Sequence, residues 1–214
     1  MSEQLTLFYA PQTRATAVRI LLEELGAPHV LHVINMRAGE QRKPEYLAIN
    51  PLGKVPAISH RGALVTELAA CFIYLADEFP KAGLAPAIGS PLRGPYLRWL
   101  VYYGNCFEPA LMDKHAKHEP APPSQSPYGD YESMLATISA ELRKGAYLTG
   151  DTFTAADILW GTAFAWTTTF KLVPETPEIM AYIERTNARP AFAKIRADDL
   201  EMAKRHDAEA AAAG

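Results

Sequence analysis

The first thirty-four residues restrict this chain most. Gln4 to Tyr9 is a β-type run, and His29 to Ile34 is a second one. Between them Val18, Leu21, Leu22 and Leu25 recur at i, i+3, i+4 and i+7, the spacing of one apolar helix face. Gly26 stands where a helix ends in a left-handed residue. Strand, helix and strand within so short a span make a βαβ unit, whose two strands must run parallel.

The pattern continues through a polar stretch, Arg37 to Lys43, and a short helix near Glu45. Asn50-Pro51-Leu52-Gly53 marks a turn. Val55 to Ser59 and Ala63 to Val65 read as two strands of a hairpin joined through His60-Arg61-Gly62. Thr66 is placed to cap a following helix, with Glu67 suiting its positive end. Phe72, Leu75, Ala76 and Phe79 form that helix's buried stripe.

Beyond this point no strand pattern recurs. A Pro-, Gly- and Ala-rich segment gives way to helical periodicity from Leu92 to about Ala116. A Pro/Ser-rich loop from His118 to Tyr128 follows, then a stripe of Tyr131, Leu135, Ile138 and Leu142. Thr154 with Asp157 three residues on is a capping-box variant opening a helix that runs to about Phe170. Shorter helices are expected over 178–186 and 190–204, the latter with Pro190 at its first position. The residues from Glu209 on are Ala-rich and expected to fray. The chain divides into an α/β half over residues 1–80, a linker over 81–90 and an all-α half over 91–214.

Composition narrows the function. A net charge of -3 without a basic run argues against nucleic-acid binding. No apolar run is long enough for a bilayer, and the first residues carry no basic leader before an apolar core, so a cytoplasmic protein is expected. The two cysteines, Cys71 and Cys106, have no metal or CxxC spacing and suit a reducing compartment. His115, His118 and Asp113 sit at a polar helix end and are expected to be solvated, so no metal site is assigned.

Three segments together resemble the cytosolic glutathione transferase superfamily, of bacterial type. They are Asn50-Pro51-Leu52-Gly53-Lys54-Val55-Pro56-Ala57-Ile58 with Thr66-Glu67 downstream, the helix from Leu68 to Asp77, and Phe153 to Asp157. The resemblance covers nearly the whole chain. It implies a thioredoxin-like N-terminal domain, an all-helical C-terminal domain and a homodimer. It also implies glutathione as co-substrate, conjugated as its thiolate to a hydrophobic electrophile. Other glutathione chemistry (peroxide or disulfide reduction, isomerisation) and a non-enzymatic binding module are alternatives.

The same resemblance assigns roles. The Val55-Pro56 bond is expected to be cis, and the Val55 backbone to pair with the cysteinyl backbone of glutathione, as in strand addition. Glu67 matches the acid that receives the γ-glutamyl amine. Lys54 and Gln41 are candidates for the glycyl end. Where the family most often has serine after the acid, this chain has Leu68, which keeps a backbone N–H but loses a hydroxyl worth about 1.5–3 kcal/mol toward a charged group. Thr13, two residues after Pro11 and before Arg14, matches the hydroxyl position of the Ser-type active site, with Tyr9 as its rival. Tyr102, Tyr103, Phe107, Trp166 and Phe170 are candidates for an apolar second-substrate pocket.

Overall fold

A computed structural model describes residues 4–119 and 121–213. Strands β1 (Thr6–Tyr9), β2 (Val30–Val33), β3 (Ala57–His60) and β4 (Ala63–Val65) form one sheet in the order β2-β1-β3-β4. β1 and β2 are parallel, as the βαβ reading requires, and β3 runs antiparallel to both β1 and β4. Helix α1 (Ala15–Leu25) makes the crossover and ends at Gly26, in the left-handed region. Its buried residues include the expected Val18, Leu21, Leu22 and Leu25.

Alternation along β1 puts apolar groups on both faces of the sheet. Phe8 and Ala57 pack with Ile34 and with Tyr46 of α2 (Pro44–Leu47). Leu7 and Tyr9, on the opposite side, are fully buried. Helix α3 (Leu68–Glu78) packs on α1 and β3. This is the thioredoxin-like arrangement.

The α3 start differs from expectation. Its N-cap residue is Glu67 rather than Thr66, and Glu67 has φ 66° and ψ 122°. Residues with a Cβ rarely adopt such a positive φ.

Residues 83–188 form a second compact unit made of helices. They are α4 (Arg93–Tyr102), α5 (Glu108–Ala116), α6 (Tyr131–Leu142), α7 (Ala155–Thr169) and α8 (Pro177–Asn187). The single long helix expected over 92–116 is interrupted by a π turn, Tyr103–Phe107, between α4 and α5. Pro109 accounts for it: proline cannot donate back along the helix and crowds the carbonyl four residues earlier. The core gathers Trp99, Tyr103, Phe107, Trp160 and Phe164, largely in edge-to-face contacts. Trp160 Nε1 donates to the Trp99 carbonyl at 2.9 Å.

The capping box is present. Thr154 N–H donates to Asp157 Oδ2 at 2.8 Å, and the Thr154 hydroxyl lies 3.0 Å from the same oxygen. Asp157 Oδ1 accepts from Leu148 N–H at 2.9 Å and from the Tyr182 hydroxyl at 2.7 Å.

The last helix, α9 (Pro190–Ala213), is longer than expected, and the segment expected to fray continues it up to Ala213. It groups with the first unit, residues up to Ala82, where the sequence reading assigned it to the helical half. It packs along α1, with Phe192 and Ile195 buried and with ion pairs from Glu24 to Arg189, just ahead of α9, from Glu23 to Lys194 and from Arg19 to Asp198.

Candidate functional site

The topology brings the sequence candidates of the first unit to one end of the sheet. β1 finishes at Tyr9, and β3 starts at Ala57 beside Phe8. Carrying that register outward sets Ala10 across from Val55. β4 also finishes at this end, with Val65 beside Ile58, and delivers Glu67 there. The head of α1, with Thr13, follows directly from β1.

The Asn50–Pro56 run is built by side-chain clamps. Asn50 is buried; its Nδ2 donates to the Lys54 carbonyl at 2.9 Å and its Oδ1 accepts from Leu52 N–H at 3.1 Å. The Tyr46 hydroxyl donates to the same Lys54 carbonyl at 2.6 Å, and burial pushes that hydroxyl up to about 12. Gly53 is required twice over. Its φ is 62°, and a methyl group there would stand 2.6 Å from the Gln41 carbonyl oxygen. Gly53→Ala is expected to cost about 1–3 kcal/mol in urea unfolding through strain and overpacking. It should also weaken ligand binding, because the displaced loop carries Val55.

Val55-Pro56 is cis. Among the described residues, no protein group pairs with the Val55 N–H or C=O. Lys54 is exposed, and its ammonium has no ion-pair partner among the described residues. Glu67 is exposed and heads α3. Its carboxylate takes no hydrogen bond or ion pair among the described residues. The α3 N-terminus beside it offers backbone donors suited to an anion. Leu68 is half-buried. Gln41 lies against this loop in a short 3-10 turn, Glu40–Arg42, but its side-chain oxygen is buried without a partner. Arg42, which the sequence reading passed over, reaches the Leu52 carbonyl at 3.4 Å and stands next to Gly53. Only its place in a polar stretch marked it.

Thr13 caps its own turn. Its hydroxyl donates to the Ala10 carbonyl at 2.7 Å and accepts from Ala15 N–H at 3.1 Å. Tyr9 is 0% exposed, and its hydroxyl is buried without a hydrogen-bond partner. The Arg19 guanidinium lies 5.4 Å from its ring. Tyr9 thus packs on the α1 face of β1.

The aromatic candidates of the helical unit divide. Tyr103 and Phe107 are 1% and 0% exposed and pack in its core. Tyr102 is half-buried, with its hydroxyl donating to the Met134 carbonyl at 3.1 Å. Trp166 is half-buried against Phe170, which is 69% exposed. Cys71 is buried, and burial pushes its thiol up to about 12, the reverse of an activated thiol. His118 bonds Asp113, which also accepts from the Tyr128 hydroxyl at 2.6 Å. Among the described residues, no helix is long and apolar enough to cross a membrane.

The Val55 backbone, the Glu67 carboxylate at the head of α3 and the Thr13 turn after β1 thus belong to segments at the same end of the sheet. The family models identify the two halves of the chain. Residues 14–78 match the glutathione S-transferase N-terminal domain and residues 109–190 the C-terminal domain, together more than half of the chain. The chain is 29% identical to the glutathione S-transferase GstA of Escherichia coli O157:H7, over 86% of this chain and 93% of that protein. It is 28% identical to the disulfide-bond oxidoreductase YfcG of Escherichia coli K12, over 86% and 91%. A solved sphingomonad glutathione S-transferase complexed with glutathione superposes with a TM-score of 0.74 at 28% identity, covering 91% of this chain and 98% of that one. The chain belongs to the glutathione transferase superfamily.

Proposed function

We propose that the first unit binds glutathione and that the protein transfers its thiolate to a hydrophobic electrophile. The observation that carries this is the convergence of Val55, Glu67 and Thr13 at one end of the sheet. The free N–H and C=O of Val55 pair with the cysteinyl backbone. Glu67 receives the γ-glutamyl amine, and the α3 N-terminus with the Leu68 N–H takes the adjacent carboxylate. Lys54, Gln41 and Arg42 flank the glycyl end. The helical unit supplies the second-substrate pocket, with Tyr102, Trp166 and Phe170 as its remaining candidates. A homodimer and a cytoplasmic setting go with this reading.

In the reaction the thiol gives its proton to solvent and the thiolate attacks an electrophilic carbon. A C–S bond forms, and a leaving group departs with its bonding electrons. Thr13 favours the thiolate by turning its hydroxyl from the Ala10 carbonyl to the sulfur. That exchanges an ordinary hydrogen bond, about 0.5–1.5 kcal/mol, for a charge-assisted one, about 1.5–3. The net of about 1.2 kcal/mol is a shift of about one pKa unit. Thr13→Val should therefore raise the pKa of bound glutathione by about one unit, while Thr13→Ser preserves it. Titrating the ultraviolet absorbance of the bound thiolate checks this, and an unchanged titration in Thr13→Val removes Thr13 from the mechanism.

The similarity to YfcG supports a second reading, reduction of glutathione mixed disulfides. Parallel assays with an aryl halide, an organic hydroperoxide and a mixed disulfide separate the two. Conjugation dominates if the first reading holds, and disulfide turnover dominates if the second does. No turnover of any of the three contradicts both.

A further inference from the structure

A buried carboxylate on the C-terminal helix reaches the loop that carries Thr13. Asp199 of α9 is 4% exposed. Its Oδ2 accepts the Gln12 N–H at 3.1 Å and the Thr16 hydroxyl at 2.5 Å. The residues one before and three after Thr13 are thus tied to one oxygen, across more than 180 residues of sequence. Gln12 is held at φ 57°, a conformation that a residue with a Cβ rarely adopts unaided.

The Asp199 carboxylate is only partly satisfied by hydrogen bonds. Asp199 Oδ1 is buried with no hydrogen-bond partner. Arg19 NH1 stands 3.7 Å away and is itself without a hydrogen bond, since Arg19 binds the neighbouring Asp198 through NH2 at 2.7 Å. Burial pushes the Asp199 carboxyl up to about 6. A half-satisfied buried charge is a weak stabiliser compared with an apolar residue of similar size. What it does supply is a fixed position for two donors.

Helix α9 also holds the second loop at the site. Asn35 Nδ2 donates to Glu209 Oε2 at 2.9 Å, and Arg37 Nε donates to Asp207 Oδ1 at 2.9 Å. These contacts lie just ahead of the turn that carries Gln41. The same helix thus touches the loops after β1 and after β2.

We infer that Asp199 is a positioning residue for thiol activation, holding the Gln12–Thr16 turn so that the Thr13 hydroxyl stands where the sulfur of glutathione arrives. The inference rests on the glutathione reading of the first unit. Asp199 does not touch the ligand; it acts through Gln12 and Thr16.

Three variants test it: Asp199→Ala, Asp199→Asn and Thr16→Val. Each is examined for its melting temperature, its kcat and KM for glutathione, and the pH titration of bound thiolate absorbance. Asp199→Ala should lower kcat by about ten- to a hundredfold, the effect of misplacing a reacting group. KM should move less, and the thiolate pKa should rise. Asp199→Asn should restore most of this, because one amide oxygen can accept both donors. Thr16→Val, which removes one donor with little change in volume, should give a smaller loss in the same direction. A folded Asp199→Ala with wild-type kcat and thiolate titration overturns the inference. If Asp199→Ala does not fold, an indifferent Thr16→Val overturns it in the same way. Wild-type protein without bound thiolate would sink the glutathione reading and this inference together. Wild-type thiolate alongside an indifferent Thr16→Val sinks the inference alone.

Discussion

Alanine at Asp157 should destabilise the helical unit by about 3–5 kcal/mol. Two buried backbone donors, Leu148 N–H and Thr154 N–H, end on this carboxylate, together with the Tyr182 hydroxyl. Asp157 is fully buried, so water does not replace the lost acceptor. The box also fixes where α7 begins, and Tyr182 links it to α8. Urea unfolding gives the size directly. Asp151→Ala, an exposed neighbour, should stay within about 0.5 kcal/mol of wild type. Equal stabilities for the two variants would show that the box does not hold this unit together.

Removing the Glu67 carboxylate should have the largest effect on the ligand. Glu67→Ala should weaken glutathione by about 10–150-fold, the loss of one charge-assisted hydrogen bond worth about 1.5–3 kcal/mol. An analogue lacking the γ-glutamyl amine should bind wild type and variant alike. Glu67→Gly adds a contrast, because φ 66° is strained for glutamate and free for glycine. It should raise melting temperature while affinity falls. Stability and affinity falling together in Glu67→Gly would mean that the strained backbone is not maintained for ligand.

Local signals in the sequence carried most of the fold. Alternation and helical spacing placed β1, α1 and β2, and the Thr154–Asp157 pair placed α7, because each depends on residues a few positions apart. Asn50 to Pro56 was legible because turn chemistry is local as well. The starting residue of α3 was not: Thr66 is the better cap by type, yet the chain caps at Glu67 in a backbone that propensity disfavours. The π turn was missed because Pro109 was read inside a continuous helix rather than as a missing donor. Tyr9, Tyr103 and Phe107 show a second limit. Spacing says which side chains share a face, but not whether the face meets solvent or another helix. Asp199 lay beyond any local signal, since its partners Gln12 and Thr16 come from the other end of the chain.

Calorimetric titration of the wild-type chain with glutathione tests the central claim most directly. The account predicts saturable binding of one glutathione per chain in the micromolar range, reduced in Glu67→Ala. Absence of heat with glutathione at millimolar concentration, or binding indifferent to Glu67, would contradict it.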